Sequence, residues 1–322
     1  MMPDDWPRRF TRGALAKVDA YIAAHPGYTR QGVEQPKQGA TNRVIYARRD
    51  HELVVFKVFC EVERKERECF ALRHWQETGL VPELIWDADP RMIVMSYLPG
   101  VSLPAAREAY GEVAWREACL ETGRATASLI GVSLGTAEGA AFESRFYEGL
   151  GALGAYLGRI LELGRSIHSR DPDFGGRSWQ ESLDLIEGQL DSILAQPRAL
   201  YHQDPGNLHV EQGRFVGFFD LEMCRVGGAA MQLASALGML EGRQDGWVPF
   251  RAGWEAATGA PLGPADRIAA LATSYLLHWR EISRYLSYDG TPGSGYAWAS
   301  PADPVAYRKS METAEGLLGM DR

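Results

Sequence analysis

The sequence predicts an α+β fold of two unequal lobes, a small β-rich lobe over residues 1–99 and a larger, mainly helical lobe over residues 100–322. Three observations carry this. Short runs rich in β-branched and aromatic residues crowd into residues 41–95, with one charged helical stretch inserted among them. From Gly100 onward, apolar residues recur at helical spacing in segment after segment. Between the two regimes, Leu98-Pro99-Gly100 interrupts any regular element, and the lobe boundary is expected near Tyr97–Gly100.

The elements follow in order. Trp6, Phe10, Leu15, Val18 and Ile22 fit a short amphipathic helix ended by His25-Pro26-Gly27. Residues 41–47 and 53–59 read as strands joined by a turn at Arg49-Asp50-His51-Glu52. Residues 63–78 read as a helix, with Cys69, Leu72 and Trp75 on one face and a stop at Thr78-Gly79. Leu84-Ile85-Trp86 and Met92-Ile93-Val94-Met95 are two more strands, parted by Asp89-Pro90-Arg91. Helices are then expected over 105–131, 142–168, 178–195, 230–241, 247–258, 264–288 and 303–318. The one clear β element in this half is a hairpin, with strands 208–210 and 215–219 around Glu211-Gln212-Gly213-Arg214. Folded about Gln212 and Gly213, it sets Asn207 opposite Phe218 and Asp220 beside Pro205.

Composition narrows the function. Hydrophobic content of 45% and charged content of 24% are those of a globular chain. No apolar run reaches about 18 residues, so no membrane span is expected. The first residues lack the apolar core of a signal peptide, which points to the cytoplasm. Four scattered cysteines without CxxC spacing read as buried free thiols. A net charge of −8 argues against a nucleic-acid partner and is compatible with a cationic small substrate.

Chemistry concentrates in residues 200–222, LYHQDPGNLHVEQGRFVGFFDLE. Asn207 and Asp220 meet at the open end of the hairpin, a hard-oxygen pair of the kind Mg²⁺ takes when it also holds phosphate. Asp204 precedes them on the loop, and Glu222 follows as a further metal or supporting group. A plain polar hairpin whose Asp and Asn make turns is the competing reading. Upstream, Lys57 lies in the middle of the apolar strand LVVFKVF, where an ammonium is costly unless paired. Glu63, Glu66 and Glu68, on the charged helix that follows, are the candidate partners. The loop around Ala40, Thr41 and Asn42 offers backbone N–H groups to an anion, or is an ordinary hairpin turn. Trp247, Trp254, Tyr275, Trp279, Tyr285, Tyr288, Tyr296 and Trp298 enrich the last third in aromatics. Tyr275 and Trp279 suit a core, while Tyr296, Trp298 and Asp289 could box a cation.

These pieces resemble the protein-kinase-like phosphotransferases of the aminoglycoside and choline kinase type. The family's His-Gly-Asp-Leu-His-Pro-Gly-Asn matches His202-Gln203-Asp204 and Pro205-Gly206-Asn207, and its Ile-Asp-Phe/Trp-Glu matches Phe219-Asp220-Leu221-Glu222. Arg67-Glu68-x-x-Ala71-Leu72 resembles its helix motif, and Met95-Ser96-Tyr97-Leu98-Pro99-Gly100 its hinge. The resemblance implies a two-lobed protein-kinase-like fold and transfer of the γ-phosphoryl group of ATP or GTP, with Mg²⁺, to the hydroxyl of a small molecule. It gives Lys57 the phosphates, Glu68 the lysine, Asn207 and Asp220 the metal, and the backbone at Ser96 and Leu98 the base.

Two departures stand out. The family spaces its loop Asp and Asn five apart, whereas Asp204 and Asn207 are three apart. Either the loop is two residues shorter and Asp204 is the catalytic base, or the match runs ungapped from Pro205-Gly206-Asn207 and His202 takes that place. Gln232 also stands where the family has an Asp that braces the loop. A nucleotide-binding pseudokinase or regulatory module is therefore the alternative.

Overall fold

The computed structural model describes residues 6–36, 42–146, 153–168, 179–240, 243–286, 314 and 316–318. Helix α1 (Trp6–Ala24) leads into strands β1 (Tyr28–Thr29), β2 (Arg43–Arg49) and β3 (Glu52–Val58), helix α2 (Val62–Trp75), and strands β4 (Leu84–Asp89) and β5 (Met92–Ser96). Helices α3 (Leu103–Gly131), α4 (Thr136–Phe146), α5 (Leu153–His168) and α6 (Trp179–Ala195) follow. Next come the short strands β6 (Ala199–Tyr201), β7 (Leu208–Glu211), β8 (Arg214–Phe218) and β9 (Arg225–Gly227). Helices α7 (Ala229–Met239), α8 (Gln244–Thr258) and α9 (Pro264–Leu286) close the series.

The first five strands form one antiparallel sheet in the order β1-β2-β3-β5-β4. Strand alternation sorts its residues onto two faces. Val54, Phe56 and Val58 of β3, with Met92 and Val94 of β5, bury against Ala14, Val18 and Tyr21 of α1. Val55 of β3 and Ile93 and Met95 of β5 turn the other way, into the core shared with α2 and the helical half. Lys57 has the parity of Val55. Its place on the inner face thus follows from a two-residue period that keeps the outer face apolar.

Helix α2 spans the two halves. Cys69, Leu72 and Trp75 line its buried side, and the Trp75 Nε1 donates to the Leu129 carbonyl of α3 at 3.2 Å. It ends in a short 3-10 turn capped by Gly79 in the left-handed region, as the Thr78-Gly79 stop predicts.

The hairpin β7–β8 turns at Gln212 and Gly213, both with positive φ (49° and 85°), the conformation of a two-residue type I′ turn. Its register differs from the expected one. Leu208, not Asn207, pairs with Phe218, and Asn207 accepts from the Phe219 N–H at 2.9 Å. The cause is an irregularity between His209 and Val210 that admits one extra β8 residue. Asp220 is therefore carried one residue nearer Asn207 along the ladder.

The hairpin is also not the sole β element of the helical half, because β6 and β9 pair antiparallel. The helix expected over 142–168 is two helices, α4 and α5. Residues 288–313, with Tyr288, Asp289, Tyr296, Trp298 and most of the helix expected at 303–318, lie outside the described residues, as do Asp171 and Asp173. Trp247, Trp254 and Tyr275 are core residues. All four cysteines are free and buried. No described helix is long and apolar enough to cross a membrane.

The segment leaving β5 is fastened to the hairpin. Val101 and Val210 exchange two backbone hydrogen bonds (3.0 and 2.8 Å), and the Phe218 N–H donates to the Leu80 carbonyl at 2.8 Å. Gly100 sits at φ 98°, and a Cβ there would fall 2.5 Å from the Val210 carbonyl oxygen, so only glycine lets the chain cross so close to β7.

Candidate active site

Lys57 and Glu68 meet because β3 and α2 pack on the same inner face; the Lys57 Nζ lies 2.5 Å from a Glu68 carboxylate oxygen. Asp220, arriving from the far side after β8, is in direct contact with the same ammonium. Glu222 approaches it to 3.6 Å. One lysine, 3% exposed, is thus ringed by three carboxylates whose oxygens lie within 4.8 Å of one another. Burial alone would pull the Lys57 pKa down, but the charges of Asp220, Glu68 and Glu222 outweigh it and raise it. Burial pushes Glu68 up to about 8, against the pull of Lys57. Its surroundings desolvate Asp220, which alone would raise its pKa, but the charge and hydrogen bond of Lys57 outweigh this and hold it below its usual value. It sits at φ 58°, ψ 53°, a left-handed conformation that Asp tolerates better than most residues.

Glu222 does more than face the lysine. Its carboxylate accepts from the Arg64 guanidinium at 2.8 Å and from the Asn42 side-chain amide, while its carbonyl accepts from Arg67 at 3.2 Å. Glu222, four residues past the end of β8, is therefore tied to the loop before β2, to β3 and to α2. Asn42 in turn accepts from the Cys60 N–H at 3.3 Å. Ala40 and Thr41 lie outside the described residues.

Asp204 is exposed on the loop after β6. Desolvation at its site and the neighbouring charge of Asp220 raise its pKa. The Asn207 amide donates to it at 3.1 Å. His202, two residues earlier, is fully buried, with its ring edge-on to Phe218 (centroids 5.7 Å apart). Gln232 of α7 accepts from the His202 N–H at 2.9 Å and donates to the His202 carbonyl at 3.2 Å. The neutral glutamine thus braces the loop backbone from both sides.

A cleft of about 300 Å³ opens beside Lys57 and Asp220. Val44, Tyr46, Val55 and Met95 form its sheet side, and His209 and Phe219 its hairpin side. Tyr97, Leu98 and Ser96 line it as well. The Ser96 N–H donates to the Glu83 carbonyl at 2.9 Å, and its hydroxyl accepts from the Glu83 N–H at 2.9 Å. The Leu98 carbonyl lies 2.9 Å from Nδ1 of His209.

Residues 32–271 match the Phosphotransferase enzyme family. The chain belongs to that family. A comparison with curated protein sequences gives no match. Among solved structures, the phosphotransferase is similar to a choline/ethanolamine kinase family protein from Mesorhizobium loti (TM-score 0.60, 16% identity, 94% of each chain). It is similar to aminoglycoside phosphotransferase APH(4)-Ia in a ternary complex with ADP and hygromycin B (TM-score 0.57, 13% identity, 94% of this chain and 97% of that one). It is also similar to ADP-bound APH(2'')-Ib (TM-score 0.56, 15% identity, 94% and 98%). At these identities the likeness establishes the fold, a protein-kinase-like one with an antiparallel five-stranded sheet followed by a mainly helical region.

Two groups of the phosphotransferase's site escape a reading of the sequence. Arg64 stands four residues before Glu68, one turn along the same face of α2, a spacing that could have flagged it. His209 lies between the buried Leu208 and Val210, so alternation alone turns it to the opposite side.

Burial also gives the phosphotransferase a pH dependence. The His202 pKa is pushed from 6.5 down to about 4, chiefly by burial, against the Asp220 charge. Neither ring nitrogen meets hydrogen-bonding geometry. The unfolded chain thus takes up a proton at higher pH than the folded one. Stability is unaffected by this group above pH 6.5 and falls as pH drops from 6.5 to 4, by about 3 kcal/mol in total. In urea titrations, the wild type is expected to lose about that much more than His202→Gln over this interval. Parallel losses in the two proteins would contradict it.

Proposed function

We propose that the protein is a small-molecule kinase that transfers the γ-phosphoryl group of ATP or GTP to a hydroxyl of its substrate. The carrying observation is the meeting of Glu68 and Asp220 on Lys57 beside the cleft, with Asp204 close enough to Asp220 to feel its charge. Residues 1–99 would hold the nucleotide, and residues 100–322 would supply the catalytic loop and the acceptor site. The relatives that bind ADP support the reading.

The donor set suits Mg²⁺. It offers three carboxylates whose oxygens lie within 4.8 Å of one another, with one Glu68 oxygen left without a hydrogen-bond partner and the Asp220 side chain about two-fifths exposed. Asp220 and Asn207 would hold the ion, with Glu222 as a further or supporting group. When bound it neutralises phosphate charge. Lys57, kept cationic and aimed by Glu68, meets phosphate oxygens. The carboxylate of Asp204 accepts the hydroxyl proton and orients that oxygen for attack. Backbone groups at Ser96 and Leu98 face the base. Catalysis of this kind is mainly positioning and charge neutralisation. A chain of net charge −8 suits a cationic acceptor.

A module that binds nucleotide without transferring phosphate is the second reading. The observation favouring it is the Asn207–Asp204 hydrogen bond, which occupies the candidate base within a shortened loop.

Thermal shift with ATP, GTP and Mg²⁺, followed by a screen of hydroxyl compounds for nucleoside diphosphate release, tests the proposal. With nucleotide near 100 times its Kd, an increase of about 2.7 kcal/mol in stability is expected, followed by diphosphate release with at least one acceptor. Nucleotide binding with no release across the screen would favour the second reading. No binding would overturn both.

A further inference from the structure

We infer that Arg225 is a positioning residue for the candidate base Asp204, acting through the side chain of Gln203. The inference rests on the assignment of Asp204 above and deepens it.

The loop that carries Asp204 leaves β6 after Tyr201 and is anchored on both sides of Gln203. Before it, Gln232 grips the N–H and the carbonyl of His202. Beyond it, the Asn207 N–H donates to the Asp204 carbonyl at 3.1 Å and closes a turn. Gln203 lies between these anchors and is held by its side chain. Its Oε1 accepts from Nε of Arg225 at 2.8 Å. A guanidinium can only donate, so the amide oxygen of Gln203, and not its nitrogen, has to face it.

Arg225 makes a firm post. It lies in β9 directly across from Tyr201, two residues before Gln203. It is buried, and its guanidinium sits over the Tyr156 ring of α5 at 4.8 Å. A hydrogen bond with one charged partner is roughly twice as strong as a neutral one. The sequence shows why this chain uses such a hold. The resemblance puts Gln203 where the family has Gly, which offers no side chain to grip, and Gln232 where the family has a bracing Asp. The Gln203–Arg225 bond adds a charge-assisted brace one residue after the neutral one, directly before Asp204. The Asp204 side chain is exposed, so its direction depends on the backbone beneath it.

Gln203→Ala removes the acceptor, and Gln203→Glu keeps an oxygen within reach of Arg225. Gln203 is half-buried, and melting temperatures establish that both variants are folded. The first readout is backbone hydrogen exchange of the full chain, which needs no substrate. Exchange at Asn207 should quicken about tenfold or more in Gln203→Ala, stay near the wild-type rate in Gln203→Glu, and be unchanged in β7. The second readout is diphosphate release from ATP with Mg²⁺, with water or the fastest acceptor of the screen. Gln203→Ala should lower kcat about 10- to 100-fold with KM for ATP within about twofold, and Gln203→Glu should recover most of the rate. In an Asp204→Ala background the same Gln203→Ala change should cost less than about twofold, because no base is left to position. A folded Gln203→Ala protein with wild-type exchange at Asn207, with undiminished kcat, or with an equal loss in the Asp204→Ala background would overturn the inference and leave the transfer reading standing. A wild type without turnover would overturn the transfer reading and the inference with it.

Discussion

Asp220→Asn is expected to reduce phosphoryl transfer by roughly a thousandfold, about 4 kcal/mol of transition-state stabilisation. Asparagine is the informative replacement because Asp220 has φ 58°. Asn shares the tolerance of Asp for that conformation, whereas Ala would add backbone strain to the loss of charge. The substitution removes one of three carboxylates crowded around Lys57. Like-charge repulsion falls as an ion pair is lost, so the fold should survive with a melting temperature within a few degrees of the wild type. Mg²⁺-dependent stabilisation by nucleotide should disappear together with turnover. Slow nucleotide hydrolysis and thermal shift, each with and without Mg²⁺, measure both. A folded Asp220→Asn protein with undiminished Mg²⁺-dependent turnover would sink the assignment.

Asp204→Ala is expected to lower kcat by a factor of about 10² to 10⁴, the usual worth of a positioned base, with nucleotide affinity retained. Two readings of the loop compete for this role, and burial favours Asp204. Asp204 is exposed and its pKa is raised, so it meets solvent and any substrate as a stronger base than a free carboxylate. The His202 side chain is sealed beneath the loop against Phe218, where no substrate hydroxyl reaches it. His202→Gln should therefore act first on stability, lowering the urea midpoint. Normal turnover in Asp204→Ala would move the role to His202 despite its burial.

The departure from the family's spacing explains why the choice was open in the sequence. Spacing of Asp204 and Asn207 fits either alignment, and spacing carries no information on which side chain faces inward. The same limit applies to Gln232. The sequence shows an amide in place of a bracing acid, and only the packing of α7 against the loop shows it gripping both the N–H and the carbonyl of His202. One hydrogen-bonding group that both donates and accepts replaces a carboxylate that could only accept.

The strands, the inserted helix and the hairpin turn were legible because they follow from local rules. These are two-residue alternation, helical spacing, the Thr78-Gly79 stop and the Gln212-Gly213 turn. Lys57 was legible because an ammonium in an apolar strand requires a partner within reach, and Glu68 because Arg67-Glu68-x-x-Ala71-Leu72 resembles the family's helix motif. The one-residue shift that pairs Leu208 with Phe218 was not, because a bulge changes register without changing the alternation on which a sequence reading depends. Nor was the span of Glu222, whose contacts lie 180 residues away at Asn42 and 158 away at Arg64. His209 belongs to the same class. Its partner, Leu98, is 111 residues distant, and the contact exists only because the chain after β5 is laid across β7. The sequence by itself determined which elements form and which side chains are too costly to bury alone. The tertiary structure alone decided which of them meet, because contacts between distant segments depend on how whole elements pack and not on any pattern within one of them.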